Sequence, residues 1–342
     1  MRLRKIIMKK IMFLLFFVLF SLFYNNKAKC EEKFVKRIVV MPFENLTGNK
    51  RAVKIVQGEI INELRNKGYE IVAEDDVKKF YLNEGLRYTK YVTPDITKKM
   101  KEKMNVEAVL LGVLTSYSEK TERIGIYLTL VDAEECRILW VNHVSFTTQD
   151  YAKILGIKPF STFEEFRRMV IRELLKDFQE SNFMKNERFY KVAVLPFVNK
   201  TNFKNANIIV TYLFIESLYK KEDVEPVYLG LVKDAFIKNR ILNQPFYDKE
   251  ILLKIAKELG VDYIILGSVD SYVDAEFEIV PETQLSVRVF DAKYGKLVWY
   301  DIAEYRGDQE IKFFDFGKIR TAENTAYKAI VRYIDTMRKV MK

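Results

Sequence analysis

The histidine of this chain is the first residue to examine for chemistry, because a Ser-His-Asp hydrolase or a metal site would need one in a cleft with partners. His143 is the one histidine of the 342 residues. It falls in a predicted strand close to Trp140, and the second half of the chain has Ile302 at the matching place. We therefore predict neither a catalytic nor a metal-binding role for His143.

The cysteines and a run of carboxylates give equally little chemistry. Cys136 stands where the second half has a turn glycine, and we expect it to be exposed and incidental, without a neighbouring base to activate it. Glu74, Asp75 and Asp76 match a glycosidase pair by residue type alone, and their place before a helix suits the helix dipole. Neither G-x-x-x-x-G-K-[ST] nor G-x-G-x-x-G occurs. The prediction is no catalytic, cofactor-binding or metal-binding residues.

The sequence pattern of the elements that would position such residues occurs twice in the chain. Residues 192–201 repeat the pattern of residues 38–47, and residues 259–272 repeat that of residues 104–117. Pro42 and Pro196 are 154 residues apart, and the two tryptophans, Trp140 and Trp299, are 159 apart. A unit of about 150 residues is the size of one domain, so the sequence predicts tandem domains over residues 34–184 and 188–342.

Each repeat predicts the order β-α-β-α-β-β-β-α. The fold class is therefore α/β, with two tandem copies of a mixed five-stranded sheet, an antiparallel hairpin at one edge and helices on its faces. Asn105 and Gly260 should end the second major helix in a left-handed conformation. Gly112 and Gly267 interrupt a buried strand, which indicates a bulge or a close approach of another group.

Side-chain patterns add three expectations. Ser161 with Glu164 predicts a capping box for the last helix of the first repeat. Trp140 and Trp299 are predicted to anchor the core beneath a helix. The helix of residues 208–219 has a wider apolar surface than a one-sided helix requires, and we expect the excess to face the other domain.

The first 30 residues predict an export signal. Basic residues precede an apolar run from Ile11 to Tyr24, which is short for a membrane helix. We expect cleavage after Cys30, with a cut after Ala28 as the alternative site. Lipidation of Cys30 is the alternative, although Lys27 and Lys29 differ from the small or apolar residues of a lipoprotein signal. The mature chain is thus expected to be exported to the periplasm, with attachment to the outer membrane left open.

The leader also carries most of the positive charge. It holds seven of the 57 basic residues and none of the 47 acidic ones, so the remainder has 50 basic residues against 47 acidic. A nucleic-acid-binding domain needs clustered positive charge. We therefore expect no nucleic-acid partner.

The repeated motifs resemble a known superfamily. The opening V-x-P-F-x-N-x-T, the later L-G-V-D-Y-I-I-L-G-S and the D-A-x-x-G-x-L-V-W turn are similar to those of the TolB amino-terminal domain, the curli secretion lipoprotein CsgG and the outer-membrane activators of penicillin-binding proteins. The resemblance implies a non-enzymatic envelope protein that presents surfaces to protein partners, with contact to the outer membrane or the peptidoglycan machinery open and the oligomeric state undetermined.

Candidate partner-binding residues follow from the loops and the unmatched apolar segments. The rim after the first strand of each repeat and the apolar segments of the second repeat supply them: Asn45, Thr47, Asn199, Thr201, Tyr212, Phe214, Phe313 and Phe314. For the asparagines and threonines, shaping the turn is the competing interpretation, and it is favoured.

Three functional hypotheses follow. The first is an envelope scaffold or accessory module. The second is a subunit of a curli-exporter-like channel, for which the segments from Ser116 to Arg123 and from Asp270 to Glu282 are too short or too acidic to form membrane hairpins. The third is a periplasmic enzyme or small-ligand-binding protein, which no motif supports.

Overall fold

The structure is a computed structural model that describes residues 35–86, 91–151, 160–179, 183, 190–242, 244, 246–274, 280–311 and 317–341. The strands of the first half are β1 (Arg37–Val40), β2 (Glu44–Asn45), β3 (Glu70–Ile71), β4 (Ala108–Ser118), β5 (Arg123–Asp132) and β6 (Ile138–Thr147). Its helices are α1 (Lys50–Asn66), α2 (Glu74–Asn83), α3 (Pro94–Met104) and α4 (Phe163–Leu174). The strands of the second half are β7 (Tyr190–Val194), β8 (Val198–Asn199), β9 (Val224–Pro226), β10 (Tyr263–Val273), β11 (Glu282–Asp291) and β12 (Lys296–Arg306). Its helices are α5 (Ala206–Tyr219), α6 (Leu229–Lys238), α7 (Lys249–Leu259) and α8 (Ala322–Met337).

The two sheets have the same topology. The strand order is β3-β1-β4-β5-β6 in the first sheet and β9-β7-β10-β11-β12 in the second. β1 pairs in parallel with β3 and β4, as β7 does with β9 and β10. The last three strands of each sheet are antiparallel. The predicted mixed α/β class, with an antiparallel hairpin at one edge, is confirmed.

Each sheet has six strands instead of the predicted five. The additional strands are β2, which pairs with β4, and β8, which pairs with β10. They follow Pro42 and Pro196, and a proline cannot continue a ladder because it has no N–H to donate. Pairing resumes two residues after the proline, too briefly for the sequence pattern to reveal it.

The glycine within each central strand permits a close approach, as predicted. A Cβ added to Gly112 would lie 2.6 Å from the ring of Phe43, and one added to Gly267 would lie 2.6 Å from the ring of Phe197. The phenylalanine of each Pro-Phe motif therefore packs on the glycine of its own sheet. The β-bulge lies further along, after Leu114 in β4 and at the corresponding position of β10.

Left-handed residues end helices and turns at matching places in the two halves. Asn105 ends α3 with a φ of 51°, and Gly260 ends α7 with a φ of 59°. Cys136 and Gly295, in the hairpin turns, have φ values of 57° and 62°. These are the conformations that asparagine and glycine tolerate best, and the predicted helix ends are confirmed.

The capping box of α4 lies one residue later than predicted. Thr162 is the N-cap and accepts a hydrogen bond of 3.2 Å from the backbone N–H of Glu165. The carboxylate of Glu165 accepts one of 2.8 Å from the N–H of Ser161. The predicted pair of Ser161 with Glu164 is wrong because Thr162 is still extended, so the helix begins at Phe163.

Helices α5 and α8 lie between the two sheets. Helices α1 and α4 cover one face of the first sheet. On its other face, the ring of Tyr127 in β5 lies 4.6 Å from that of Tyr212 in α5. Helix α8 also contacts the second sheet, where the hydroxyls of Thr283 and Thr325 are 2.8 Å apart. The chain from Val35 onward is therefore one compact unit.

The wide apolar surface of α5 faces both sheets, as expected. All of its residues except Asn207 and Ile208 are buried. The hydroxyl of Tyr219 donates to the backbone oxygen of Leu139 in β6. A helix enclosed on both sides needs apolar residues all round, which explains its composition.

The tryptophans anchor the core beneath a helix in each half, as predicted. The indole of Trp140 meets the ring of Phe178, just after α4, edge-on at 4.8 Å. The indole of Trp299 meets Tyr333 of α8 in the same way at 5.4 Å. Because each ring fills space between a strand and a helix, neither forms an exposed stacking platform.

Candidate partner-binding surface

A charged cluster joins the two halves across the buried face of the first sheet. Arg123, at the start of β5, forms a salt bridge with Asp274 and lies 3.6 Å from a carboxylate oxygen of Glu323 in α8. The hydroxyl of Thr115 donates to Glu323 at 2.8 Å. On α5, Lys220 lies 2.6 Å from the carboxylate of Glu216. Each buried carboxylate of the cluster lies beside a basic side chain, which favours one arrangement of the two halves.

His143 belongs to this cluster. Its Nε2 lies 2.9 Å from Glu323, its Nδ1 lies 4.0 Å from Glu216, and only 5% of its side chain is exposed. Burial would raise the pKa of Glu323, but the hydrogen bond and charge of His143 and the charge of Arg123 outweigh it, so this pKa lies below its ordinary value. Both ring nitrogens face carboxylates of the other half. This geometry gives His143 a role in joining the halves and leaves it no contact with solvent-borne substrate.

Cys136 is buried, not exposed as predicted. Its backbone has the left-handed turn conformation that the alignment with Gly295 indicated, but its sulfur points inward, 3.4 Å from the hydroxyl of Thr97. Burial raises the pKa of the Cys136 thiol to about 12. The thiol is therefore protonated at neutral pH and unreactive.

The carboxylates of α2 lie at the N-terminal end of the helix, where they interact favourably with the helix dipole. Glu74, Asp75 and Asp76 occupy the first turn of the helix and are exposed. Glu74 lies 2.8 Å from Lys78 on the same helix. Of the three, Asp76 lines a surface groove beside Lys79, and the acidic character of all three suits the helix N-terminus.

The two asparagine–threonine rims use their polar atoms within their own turns. The side-chain oxygen of Asn45 accepts from the backbone N–H and the hydroxyl of Thr47, at 3.0 and 2.8 Å. Asn199 and Thr201 repeat the two contacts with the same distances. This arrangement is a self-contained turn of the kind that asparagine side chains form.

Tyr212 and Phe214 are interior residues, which corrects their assignment to an exposed partner surface. Tyr212 is buried against Tyr127, and its hydroxyl donates to Glu44 at 3.2 Å. Phe214 is fully buried and stacks on Phe197 at 5.0 Å. The partner of this helix is the chain's own first half. Of the remaining candidates, Phe313, Phe314 and Cys30 lie outside the described residues.

In the first sheet, the face that contacts α5 and α8 is buried. The corresponding face of the second sheet is exposed to solvent. Strand register matches Val141 with Tyr300, and His143 with Ile302. Val141 is 3% exposed under the helices of the second half, whereas Tyr300 is 49% and Ile302 is 50% exposed. We call the surface formed by Gln284, Ser286, Arg288, Tyr300 and Ile302 the open face.

The burial of whole strands shows the same contrast. Every residue of β5 is buried, whereas β11 alternates between partly exposed and buried residues over most of its length. A sheet covered on both faces gives the first pattern, and a sheet with one solvated face gives the second. Sequence reasoning missed the open face, although the alternation of β11 was a readable signal for it.

Polar groups at one end of the open face are already organised. Asp270, at the β-bulge of β10, accepts hydrogen bonds of 2.8 Å from Lys200 and from Ser268, and a further one from Ser286. Burial opposes ionisation of Asp270, but Lys200, Ser286 and Ser268 together keep its pKa below the ordinary value. The position matches Thr115, which meets Glu323 in the first half. This end of the open face therefore holds an anion where the first sheet holds a donor.

The outer edge of β12 is partly closed by its own side chain. The carboxylate of Asp301 accepts a hydrogen bond of 2.8 Å from the backbone N–H of Ile302. An occupied N–H is unavailable to an added strand. A partner is therefore better received by the face of the sheet than by its edge.

The small cavity between the halves suits a water molecule better than a ligand. It has a volume of about 20 Å³ and is lined by residues that include Glu44, Tyr127, Tyr212 and Tyr228. Ligand pockets usually have several hundred Å³, whereas one water needs roughly 10–15 Å³.

A groove of about 280 Å³ on the surface of α2 and α3 has its charges paired internally. Lys79 pairs with Asp76 at 3.5 Å, and Lys103 pairs with Glu84.

Among the described residues no group of His, Cys, Asp and Glu is arranged to hold a metal ion. Within the same ranges no helix is both long and apolar enough to cross a membrane.

No family model matches the chain, and no curated protein matches it. Solved structures do match. The PelC dodecamer from Paraburkholderia phytofirmans is 15% identical, with a TM-score of 0.30, over 44% of this chain and 90% of PelC. Lipoprotein GNA1162 from Neisseria meningitidis is 17% identical, with a TM-score of 0.31, over 41% of this chain and 96% of the lipoprotein.

TolB from Acinetobacter baumannii also matches, and its family is one that the repeated motifs resemble. The identity is 11% and the TM-score 0.24, over 43% of this chain and 30% of TolB. At these identities and TM-scores the three similarities establish neither a family nor a function for the chain.

Proposed function

We propose that this chain is a non-enzymatic, exported protein of the cell envelope that binds a protein partner on the open face of its second sheet. The observation that carries the proposal is the contrast between Val141, covered at 3% exposure, and Tyr300, 49% exposed at the matching position. The same surface is covered by helices in one half and left open in the other. Large side chains that stay exposed on a sheet face, as Tyr300 and Ile302 do, are typical of a binding surface.

The partner that fits the open face best is an α-helix. In the first half, α5 and α8 lie across the corresponding strands and bring an aromatic ring and carboxylates to them. The open face presents Tyr300 and Ile302 as apolar contacts, with the guanidinium of Arg288 beside them. A helix with apolar residues on one side and an acidic residue near Arg288 would satisfy these groups.

Helix α1 of a second copy is a poor candidate for this partner. Phe43 donates its backbone N–H to Gln57 as Phe197 does to Thr211, which fixes the correspondence of α1 with α5. At the positions of Tyr212, Glu216 and Tyr219, which contact the first sheet, α1 therefore has Gly58, Asn62 and Arg65. This polar surface cannot reproduce the apolar contacts, so we assign the open face to a different protein.

Site-specific photo-crosslinking in cells tests the proposal. A photoreactive amino acid at Ile302 should give a crosslink to one envelope protein, and the crosslinked peptide should map to a helix of that protein. The same probe at Arg172, exposed on α4, is the matched control and should give none. Equal labelling at both positions, or no adduct at Ile302, would count against a partner on the open face.

The proposal includes the processing and location of the chain. Removal of residues 1–30 would leave two domains, residues 34–184 and 188–342, in the periplasm or at the outer membrane, where partners in envelope assembly or peptidoglycan synthesis are found. The export pattern of the leader supports this placement. Intact-mass measurement of the mature protein with membrane fractionation decides between cleavage and lipidation of Cys30.

A further inference from the structure

The hairpin turns of the two sheets share a backbone but differ in surface chemistry. Each turn begins with an aspartate whose carboxylate accepts backbone N–H groups of the turn, and each has a left-handed residue at the same position. Between the aspartate and the left-handed residue, the first turn has Glu134 and Glu135, whereas the second turn has Lys293 and Tyr294. The conformation is the same, so turn geometry does not require this change from two acids to a cation and an aromatic ring.

The second turn is the centre of a cluster of cations stacked on aromatic rings. The amines of Lys293 and Lys296 each lie 5.3 Å from the ring of Tyr294. The guanidinium of Arg288 lies 5.3 Å from the ring of Phe246 and 5.3 Å from that of Tyr300. We call the group of Phe246, Arg288, Lys293, Tyr294, Lys296, Leu297 and Tyr300 the basic tip.

The loop before α7 and the turn belong to one surface. A Cβ added to Gly295 would lie 2.6 Å from the side chain of Lys249, so the start of α7 packs directly on the turn. Phe246, three residues before Lys249, is 70% exposed, and Tyr294 is 61% exposed. Large aromatic side chains left this open to water indicate a contact that is missing from the isolated chain.

The three cations of the basic tip have no acidic partner among the residues that the structure describes. Within the described part of the chain, Arg288, Lys293 and Lys296 form no salt bridge with a carboxylate, and neither Asp248 nor Glu250 of the neighbouring helix start pairs with them. The carboxylate of Asp291 is buried and bonded within the turn, so it does not neutralise them from the surface. The basic tip therefore presents uncompensated positive charge around exposed rings.

We propose that the basic tip contacts an anionic lipid surface. Aromatic side chains favour the headgroup region of a bilayer because one end of the ring is apolar and the other is wet. Lysine and arginine beside them are attracted to anionic headgroups. Lys293 and Tyr294 lie in the turn, Phe246 lies in the loop before α7, and the other members lie on the adjoining parts of β11 and β12. The basic tip shares Arg288 and Tyr300 with the open face, so a chain bound through Lys293, Tyr294 and Lys296 would hold its protein partner close to the membrane.

Vesicle sedimentation tests this contact. Residues from Val35 onward form one compact unit, so the assay uses residues 31–342, which lack the apolar leader. The probes are vesicles of equal parts phosphatidylglycerol and phosphatidylcholine, and vesicles of phosphatidylcholine alone. We expect binding to the anionic vesicles, weakening with added salt, and little binding to the neutral ones.

Charge reversal of the tip, Lys293→Glu with Lys296→Glu, should lower the partition coefficient at least about tenfold. The double variant Lys54→Glu with Arg65→Glu makes the same change in net charge on exposed positions of α1 and should leave it nearly unchanged. Tyr294→Ser should weaken binding while preserving the net charge. The proposal fails if the unmodified chain does not bind anionic vesicles, or if both charge-reversed variants lose binding equally. A crosslink at Ile302 would be unaffected by either outcome, so the two proposals are tested separately.

Discussion

The hydroxyl of Thr115 and the carboxylate of Glu323 are 2.8 Å apart, although 208 residues separate them in the chain. The contact links the β-bulge of the first central strand to the first turn of the last helix. Glu323→Gln removes a buried charge that faces Arg123 and His143, so His143 loses its nearer carboxylate and Arg123 keeps only that of Asp274. We expect it to lower the free energy of unfolding by about 3 kcal/mol, measured by chemical denaturation. Glu164→Gln, at the exposed first turn of α4, is the matched control and should change it by less than about 0.5 kcal/mol.

The stability lost in Glu323→Gln should depend on pH. The pKa of Glu323 is lowered in the folded state from an ordinary value of 4.5, so the carboxylate stabilises the fold above that pH. Its contribution is lost as the pH falls through the lowered pKa, where the protonated carboxyl resembles the amide. Denaturation curves of the two proteins should therefore differ most near neutral pH and converge in acid. A constant difference across this range would contradict the assignment.

Two glycines should respond to alanine in opposite directions. In Gly112→Ala, the new methyl group would collide with the ring of Phe43, and we expect a loss of roughly 1–3 kcal/mol in unfolding free energy. Gly58 lies within α1 with no atom within 4 Å of an added Cβ, so Gly58→Ala should gain about 0.5–1 kcal/mol. Thermal unfolding of both variants checks the pair. If Gly112→Ala were as stable as the unmodified protein, the ring of Phe43 would not pack on Gly112 as described.

Aspartate at matching positions of the two sheets should have unequal effects. Val141→Asp would bury a charge beneath α5 and α8 and should cost more than about 3 kcal/mol. Tyr300→Asp, on the open face, should change the unfolding free energy by no more than about 0.5 kcal/mol. Equilibrium denaturation measures both. Comparable losses at the two positions would show that the open face is covered within the folded chain.

The thiol of Cys136 should be inert in the native protein. Its pKa of about 12 and its burial leave almost no thiolate at neutral pH. Labelling by an aromatic disulfide reagent should therefore proceed only as fast as the protein unfolds, and become rapid in denaturant. Rapid labelling of the folded chain, followed by mass spectrometry of the peptide, would restore the exposed thiol that the sequence suggested.

Sequence patterns predicted the features that depend on local chemistry. Asn105 and Gly260 mark helix ends because the left-handed backbone restricts the residue types found there. The order of the main strands and helices along each half, and the antiparallel hairpin at one edge of the sheet, followed from buried apolar runs and a turn motif. The strands β2 and β8 escaped detection because two residues carry no period.

Features that depend on contacts between the halves were harder to predict. Cys136 looked exposed because a turn usually is, but its sulfur is buried beside Thr97 in a cluster built from residues of both halves. Tyr212 and Phe214 looked available for a partner because nothing local says which surface will cover an apolar helix. The exception is β11. Its residues alternate between polar and apolar, whereas those of β5 are mostly apolar. This difference in sequence indicates that the second sheet has one solvent-exposed face and that the first sheet has none.

The enclosure of α5 between the two sheets has a consequence for how the protein is made. The chain from β1 to α4 is synthesised first, and until α5 follows Tyr127 and Val141 remain without cover. The early part of the chain is therefore an intermediate that exposes apolar surface and is prone to aggregation. Because each half covers the other in the folded protein, the two halves should unfold together in one calorimetric transition. A chaperone that shields this face during synthesis would act on a surface that the folded protein no longer exposes.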